Sequence, residues 1–358
     1  MFLFRRIADM KKRTKVFLSI LLVLAIIGGA ATLTVTFYGK KYIRSEDTAF
    51  SVLQITDVHI LNNEKKDAKA FKTISAMIET TNPDMIVVTG DITSEKENYT
   101  AFKTFCTFIE EFEIPWAFTY GNHEGLDIRY EPDEVLDPEK IADKQTLNDY
   151  LESLEYCIYE RGDENTDGMG NYYYTVRDNN NNALMSLIFM DSNSYDEENN
   201  GYDHFHDNQI QWYENTIKQI AKEENGDESK VVPSLAFFHI PMQEYMTAYD
   251  EAKGTDNLLY GFRFPDEDGT PAADDYMFET MIELGSTKGC FVGHDHMNNY
   301  SVNYKGIRLT YGLSCDHNIY VVPFRGGTLI NIKNDGSFTT QSLIRHRGQS
   351  TVTICKEY

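Results

Sequence analysis

The chain has 358 residues, 41% of them hydrophobic and 25% charged, with a formal net charge of −23, a composition that suits a large folded core and excludes wholesale disorder. So strong an acidic excess repels polyanions, and no nucleic acid is expected as a partner, because affinity for it comes largely from phosphate neutralisation by Lys and Arg. The five cysteines (Cys106, Cys157, Cys290, Cys315, Cys355) contain no CxxC pair, which excludes a zinc ribbon or a thioredoxin-type motif.

Residues 1–15 carry Arg5, Arg6, Lys11, Lys12, Arg13 and Lys15 against a single acid, Asp9, and residues 16–38 carry no charge. About 20 apolar residues suffice to cross a bilayer core. Residues 16–38 therefore read as a transmembrane signal-anchor, with 1–15 as a basic cytoplasmic tail and the remainder outside the cell membrane by the positive-inside rule. A cleaved signal peptide is the alternative, with its apolar stretch at 16–27 and small residues Gly28, Gly29, Ala30 and Ala31 behind it; the product would be secreted. Residues 39–49 serve as a linker.

From there the pattern alternates. A strand at 51–56 ends at Asp57, and a helix over 66–81 places Ala70, Phe71, Ile74, Met77 and Ile78 on one face. Pro83-Asp84 stops that helix before a short buried strand at 85–89, which runs into Gly90-Asp91. A helix over 99–112, with Phe102, Phe105, Phe108, Ile109 and Phe112 aligned, leads to a strand at 116–120 that ends in Gly121-Asn122-His123-Glu124. Such alternation argues for parallel strands joined by right-handed crossovers.

Residues 124–170 form an acidic insertion with one helix near 144–154. Strands follow at 172–176 and 184–190 around an Asn-rich turn, then a helix at 208–222. A strand at 234–238 ends at His239, and one at 289–292 ends in Gly293-His294-Asp295-His296. Short strands are expected near 299–304, 307–311, 319–322, 328–332 and 338–343, completing one catalytic domain over 50–345 before a tail at 346–358 that includes His346.

The residues at these strand ends are Asp57, His59, Asp91, Asn122, His123, His239, His294 and His296, and in α/β sheets the carboxyl ends of strands are where sites collect. Imidazole and carboxylate donors of this kind suit borderline divalent metals: Mn, Fe, Zn, Ni or Co. The ordered blocks Asp57-Val58-His59, Gly90-Asp91, Gly121-Asn122-His123-Glu124, Phe238-His239 and Gly293-His294-Asp295-His296 resemble the signature of the calcineurin-like metallophosphoesterases. Phe238-His239-Ile240-Pro241, Asp207-Asn208-Gln209-Ile210 and the run from Gly306 to Gly312 resemble its purple-acid-phosphatase-like and Dcr2-like branch.

The resemblance implies an α/β fold, a four-layer α/β/β/α sandwich of two mixed sheets, and a binuclear centre. It implies that Asp57, His59 and His296 hold one metal, that Asn122, His239 and His294 hold the other, and that Asp91 bridges them. His123 would donate a proton or steady the phosphoryl charge, with Asn122 and His123 as substrate contacts. Two metals about 3.5–4 Å apart lower the pKa of water and clamp a phosphate for in-line attack. Purple acid phosphatases carry a Tyr three residues after the bridging Asp; here Ser94 stands there, so no ferric–tyrosinate centre is expected.

His204 and His206 lie in an acidic, Tyr-rich loop and read as surface residues. His317 is a further substrate-contact candidate, and Arg263, Arg308 and Arg325 are the candidate cations for a phosphate dianion. Asn98-Tyr99-Thr100 and Asn299-Tyr300-Ser301 match the glycosylation pattern. A bridge between Cys290 and Cys315 and fully buried free thiols both stand open. The expected activity is hydrolysis of a small phosphomonoester; a phosphodiesterase on the same centre and a non-catalytic, metal-stabilised binding module are the alternatives.

Overall fold

The computed structural model describes residues 42–358 apart from 95–96, 126–136, 197–200, 265–268, 274, 320–323, 347–348 and 350. The expected tail 1–15, the span 16–38 and residues 39–41 of the linker lie outside the described residues. Among the described residues no helix is long and apolar enough to cross a membrane.

Three strands form the parallel half of the first sheet: β1 (Thr48–Ile55), β2 (Met85–Thr89) and β3 (Trp116–Thr119). Every residue of β2 and β3 is buried, as parallel strands covered on both faces require. They pair in parallel, β1 with β2 and β2 with β3, through crossover helices α1 (Glu64–Thr81) and α2 (Asn98–Glu110). The Asn63 side chain caps the start of α1 by accepting from the Lys66 amide, and Asn82 ends it in a left-handed conformation. On its other edge β1 pairs antiparallel with β13 (Phe324–Lys333), followed by β14 (Phe338–His346) and β15 (Thr353–Ile354).

The second sheet has seven strands in the order β4 (Tyr172–Arg177), β5 (Ala183–Phe189), β8 (Ser234–Phe237), β10 (Thr287–Val292), β12 (Ile307–Tyr311), β11 (Ser301–Tyr304) and β9 (Leu258–Tyr260). Its four central strands, β5 to β12, run parallel, and its edges are antiparallel. A small separate hairpin joins β6 (Tyr195–Asp196) to β7 (Gly201–Tyr202). The remaining helices are α3 (Lys144–Leu151), α4 (Asp207–Asn225), α5 (Glu244–Ala252) and α6 (Met277–Leu284).

Alternation along the central strands divides the core in two. Leu187, Phe189, Leu235, Phe237 and Phe291 pack into the cluster that holds β1–β3 and their helices. Their neighbours Ile188, Ala236, Cys290 and Val292 pack instead with Tyr213 and Ile217 of α4, Tyr245 of α5 and Phe278 of α6. The order is therefore helices, sheet, sheet, helices. Between the sheets Phe189, Phe237 and Phe291 stack in a row at 5.5 and 5.2 Å. Truncating one such buried ring to Ala costs about 3–5 kcal/mol, so this row fixes the registration of the strands that carry His239 and His294.

Several local expectations change. The strand expected at 319–322 does not begin at Ile319, whose amide instead donates to the Asp316 carboxylate; 320–323 lie outside the described residues. The expected tail is part of the first sheet: β14 runs to His346, β15 pairs with it, and Tyr358 exchanges both backbone hydrogen bonds with Thr340 at 2.8 and 3.0 Å. All five thiols are free; Cys290 and Cys315 belong to different core clusters. Asn98 and Asn299 are buried, and each side chain is spent on backbone hydrogen bonds, so neither is presented as a glycosylation acceptor.

Candidate metal centre

The strands of both sheets end at one place. Asp57 and His59 follow β1, Asp91 follows β2, Asn122 and His123 follow β3, His239 follows β8, and His294 and His296 follow β10. The chain turns sharply after each strand. Asp57, His59, Asp91 and His294 all take positive φ, at 50, 48, 53 and 76°, a conformation costing of order 1–3 kcal/mol per non-glycine residue and tolerated where the surroundings enforce it. Two glycines allow the turns to meet. A Cβ on Gly121 would lie 2.2 Å from Asp91 Oδ1, and one on Gly293 would lie 1.9 Å from Thr56 Oγ1.

Two overlapping groups of donors result. The ligating atoms of Asp57, His59, Asp91 and His296 lie within 4.8 Å of one another, as do those of Asp91, His239 and His294. Asp91 is common to both. Its Oδ2 is 3.5 Å from His59 Nε2 and 3.2 Å from His239 Nε2. Asn122 joins the second group: its Nδ2 donates to Tyr195 Oη at 2.9 Å, which turns Oδ1 toward His239 Nε2 at 3.1 Å.

The protons show what this arrangement lacks. His239 Nδ1 donates to the Thr89 carbonyl at 2.7 Å, so in the neutral ring Nε2 presents a lone pair to two more acceptors, Asp91 Oδ2 and Asn122 Oδ1. His59 Nδ1 is taken by Ser94 Oγ, while His296 Nδ1 faces Asp316 Oδ2 at 3.5 Å. Their two Nε2 atoms meet at 2.9 Å. Lone pairs and carboxylate oxygens converging in a buried space call for positive charge. Protons supply it in part: burial opposes charging His239, but the Asp91 carboxylate overrides this and pushes its pKa up to about 10. The same imidazoles, His239 then His123, hold Asp91 well below the usual carboxylate range although burial pushes it upward. Burial first, then neighbouring rings, keep His59 and His294 well below ordinary histidine, leaving them neutral donors. This donor set fits divalent cations, with no further residue needed.

His123 is placed differently. About a third of its side chain is exposed, with Nε2 4.0 Å from Asp91 Oδ2. Its backbone N–H donates to Asp91 Oδ1 at 2.9 Å and its ring stands edge-on to His59 at 5.2 Å, so it sits at the opening of the cluster. His317 is engaged elsewhere, with Nε2 3.0 Å from Thr73 Oγ1 of α1. Arg263 pairs with Asp250, and Arg308 donates to Thr340 and to the Tyr358 carbonyl. Arg325 Nε donates to the carbonyl of Asp316, one contact removed from His296.

Four supporting residues escape sequence reasoning. Glu124 is fully buried and accepts from the amides of Gly121, Asp91 and Ile92 at 2.7, 2.9 and 2.5 Å, strapping the β2 and β3 turns together. Burial, and after it the Asp91 charge, raise its pKa to about 7. Ser94, Asp316 and Tyr195 orient His59, His296 and Asn122. Only Glu124 lies within a recognisable block; Ser94, Asp316 and Tyr195 are 35, 20 and 73 residues from the side chains they position.

Comparison with known proteins agrees with this geometry. The calcineurin-like phosphoesterase family profile matches residues 50–298. The Arabidopsis thaliana protein named probable inactive purple acid phosphatase 29 is 27% identical over 315 residues, covering 78% of this chain and 75% of that protein. Phosphatase DCR2 of Saccharomyces cerevisiae is 25% identical over 307 residues, 75% of this chain and 49% of its own. Among solved structures, a dimetal phosphatase from Danio rerio superposes with a TM-score of 0.54 at 12% identity, covering 87% of this chain and 99% of the other, which shows a shared fold. With the profile spanning most of the catalytic region and the strand-end donors in place, this chain belongs to the calcineurin-like phosphoesterases.

Proposed function

We propose that the chain hydrolyses small phosphomonoesters at the Asp91 cluster, outside the cell membrane that its N-terminus anchors. The observation that carries this reading is the convergence of seven buried or partly buried donors on one space, with the partly exposed His123 at its mouth. Asp57, His59, Asp91 and His296 would hold one divalent cation, and Asp91, Asn122, His239 and His294 a second. When bound, such a pair supplies Lewis acidity toward the phosphoryl oxygens and lowers the pKa of water.

The chain's own residues do the rest. Asp91 lies between the two donor groups and sets their separation. Ser94, Asp316 and the Thr89 carbonyl fix the rings of His59, His296 and His239, so that each turns Nε2 inward. His123 Nε2, close to Asp91 and open to solvent, gives its proton to the leaving alkoxide, a role worth about 10²–10⁴-fold in rate. Tyr195 and Tyr202, stacked at 5.7 Å, wall the Asn122–His294 side, where Tyr202 meets the His294 ring edge-on at 4.2 Å. The uncharged run 16–38 behind six bases supports the anchor, and the acidic charge beyond it supports small substrates over polyanions.

Para-nitrophenyl phosphate and its bis ester, assayed side by side with added Mn²⁺, test the substrate class. Higher kcat/KM for the monoester is expected; a clear preference for the bis ester would make a phosphodiesterase the better reading. The word inactive in the name of the Arabidopsis relative raises a second reading, a metal-stabilised binding module. The intact donor set weighs against it. Metal-loaded, folded protein without turnover on either ester would favour it.

A further inference from the structure

Asp203, His204 and His206, between β7 and α4, belong to no part of the Asp91 cluster, yet they form a third convergent set whose ligating atoms lie within 4.8 Å of one another. His204 Nδ1 is 3.2 Å from Asp203 Oδ1, and His206 Nε2 is 3.2 Å from the same oxygen. Donors bound at about 2.0–2.1 Å around a tetrahedral zinc stand roughly 3.3 Å apart, so both edges already have that length.

Two further observations point the same way. His204 Nδ1 is buried and has no hydrogen-bond partner; Asp203 faces it without hydrogen-bond geometry. The other ring nitrogen of His206, Nδ1, meets Asp167 Oδ2 at 2.7 Å. A carboxylate on the far side of a histidine is the arrangement that orients a metal-binding ring and fixes its tautomer. With the Nδ1 proton donated to Asp167, a cation that displaces the Nε2 proton, which otherwise donates to Asp203 Oδ1 at 3.2 Å, meets a lone pair beside Asp203 and the orphaned His204 nitrogen. The side chains are 26% and 37% exposed for His204 and His206, which leaves a side open for water as a fourth ligand.

We propose that Asp203, His204 and His206 bind a third cation, a borderline divalent ion of the Zn²⁺ class, with Asp167 as the positioning residue. The site ties the 163–168 turn to the entry of α4 and sits directly after Tyr202, the residue packed on His294. Its effect is to hold that wall in place.

The test is metal stoichiometry, which stands apart from turnover at the Asp91 cluster. Full-length protein is dialysed to equilibrium against buffered Zn²⁺, and bound metal is counted by mass spectrometry. The wild type should hold one equivalent more than His204→Ala and than His206→Asn, which retains a helix-capping acceptor, and Asp167→Asn should bind that equivalent about 10–100-fold more weakly. Equal metal content in wild type and His204→Ala overturns the proposal. The unaltered chain gives an independent reading: Zn²⁺ should protect both His204 and His206 from diethyl pyrocarbonate in peptide mapping, and unchanged modification of the two rings overturns the proposal as well.

Discussion

The six-stranded sheet brings Asp57, Asp91 and Asn122 to the cluster together with His59, whereas the seven-stranded sheet brings imidazoles alone, His239, His294 and His296. The two contributions are built differently. On the first side three of the four residues sit at positive φ, and the carboxylates are knitted into backbone amides: Asp91 accepts from His123 N, and Glu124 from three amides in the neighbouring turns. On the second side only His294 is at positive φ, and the rings rest against Thr89, Asp316 and Tyr202. Buried anions need fixed dipoles around them, while a neutral ring needs only a tautomer. The first side is thus scaffold and ligand at once; the second is ligand.

That contrast orders the expected effects. Asp91→Asn removes the charge shared by both donor groups and should lower kcat/KM by about 10⁴-fold or more, roughly 5 kcal/mol or above; a loss no larger than that of His294→Ala, measured in the same assay, would break the comparison. His123→Gln should cost about 10²–10⁴-fold in kcat while leaving metal content unchanged, because His123 lies outside both donor groups. Ser94→Ala, which releases His59 Nδ1, should weaken metal affinity about 10–100-fold, as read by competition with a chelator.

The smallest effect is a pH dependence away from the cluster. Burial, and then Arg325, hold His317 down to about 4, so its neutral ring contributes stability above the ordinary histidine pKa of 6.5. As pH falls from 6.5 toward 4 the unfolded chain takes up a proton that the folded chain refuses, and this contribution is lost. His317→Gln should therefore show a shallower fall in Tm over that window than the wild type.

The same contrast explains what sequence could and could not show. Strand ends delivering Asp57, Asp91, Asn122, His239, His294 and His296 are local patterns, legible from apolar runs that stop at Thr-Asp, Gly-Asp, Gly-Asn-His, Phe-His or Gly-His. The β-strands 85–89 and 307–311 matched to the residue because their apolar runs have sharp polar ends. What orients the rings was hidden, since Ser94, Asp316 and Tyr195 become neighbours only through folding. Helix α6 is not legible because Tyr276, at φ 58°, stands in the capping place, and the side chain that accepts from the Met277 amide, Asp275, lies one position earlier. The terminal strand β15 has only two residues and depends on β14 for its existence. His204 and His206 looked like surface residues for a similar reason: Asp167, which turns His206, lies 39 positions away.

One carboxylate, Asp91, is common to both donor groups, and the proposed hydrolytic centre depends on it. The most direct test of that dependence is to count divalent metal in purified wild-type and Asp91→Asn chains and to assay para-nitrophenyl phosphate turnover in the same samples. The variant should stay folded, lose metal relative to wild type and lose turnover with it. An Asp91→Asn protein with the wild-type metal complement and wild-type turnover would contradict that dependence.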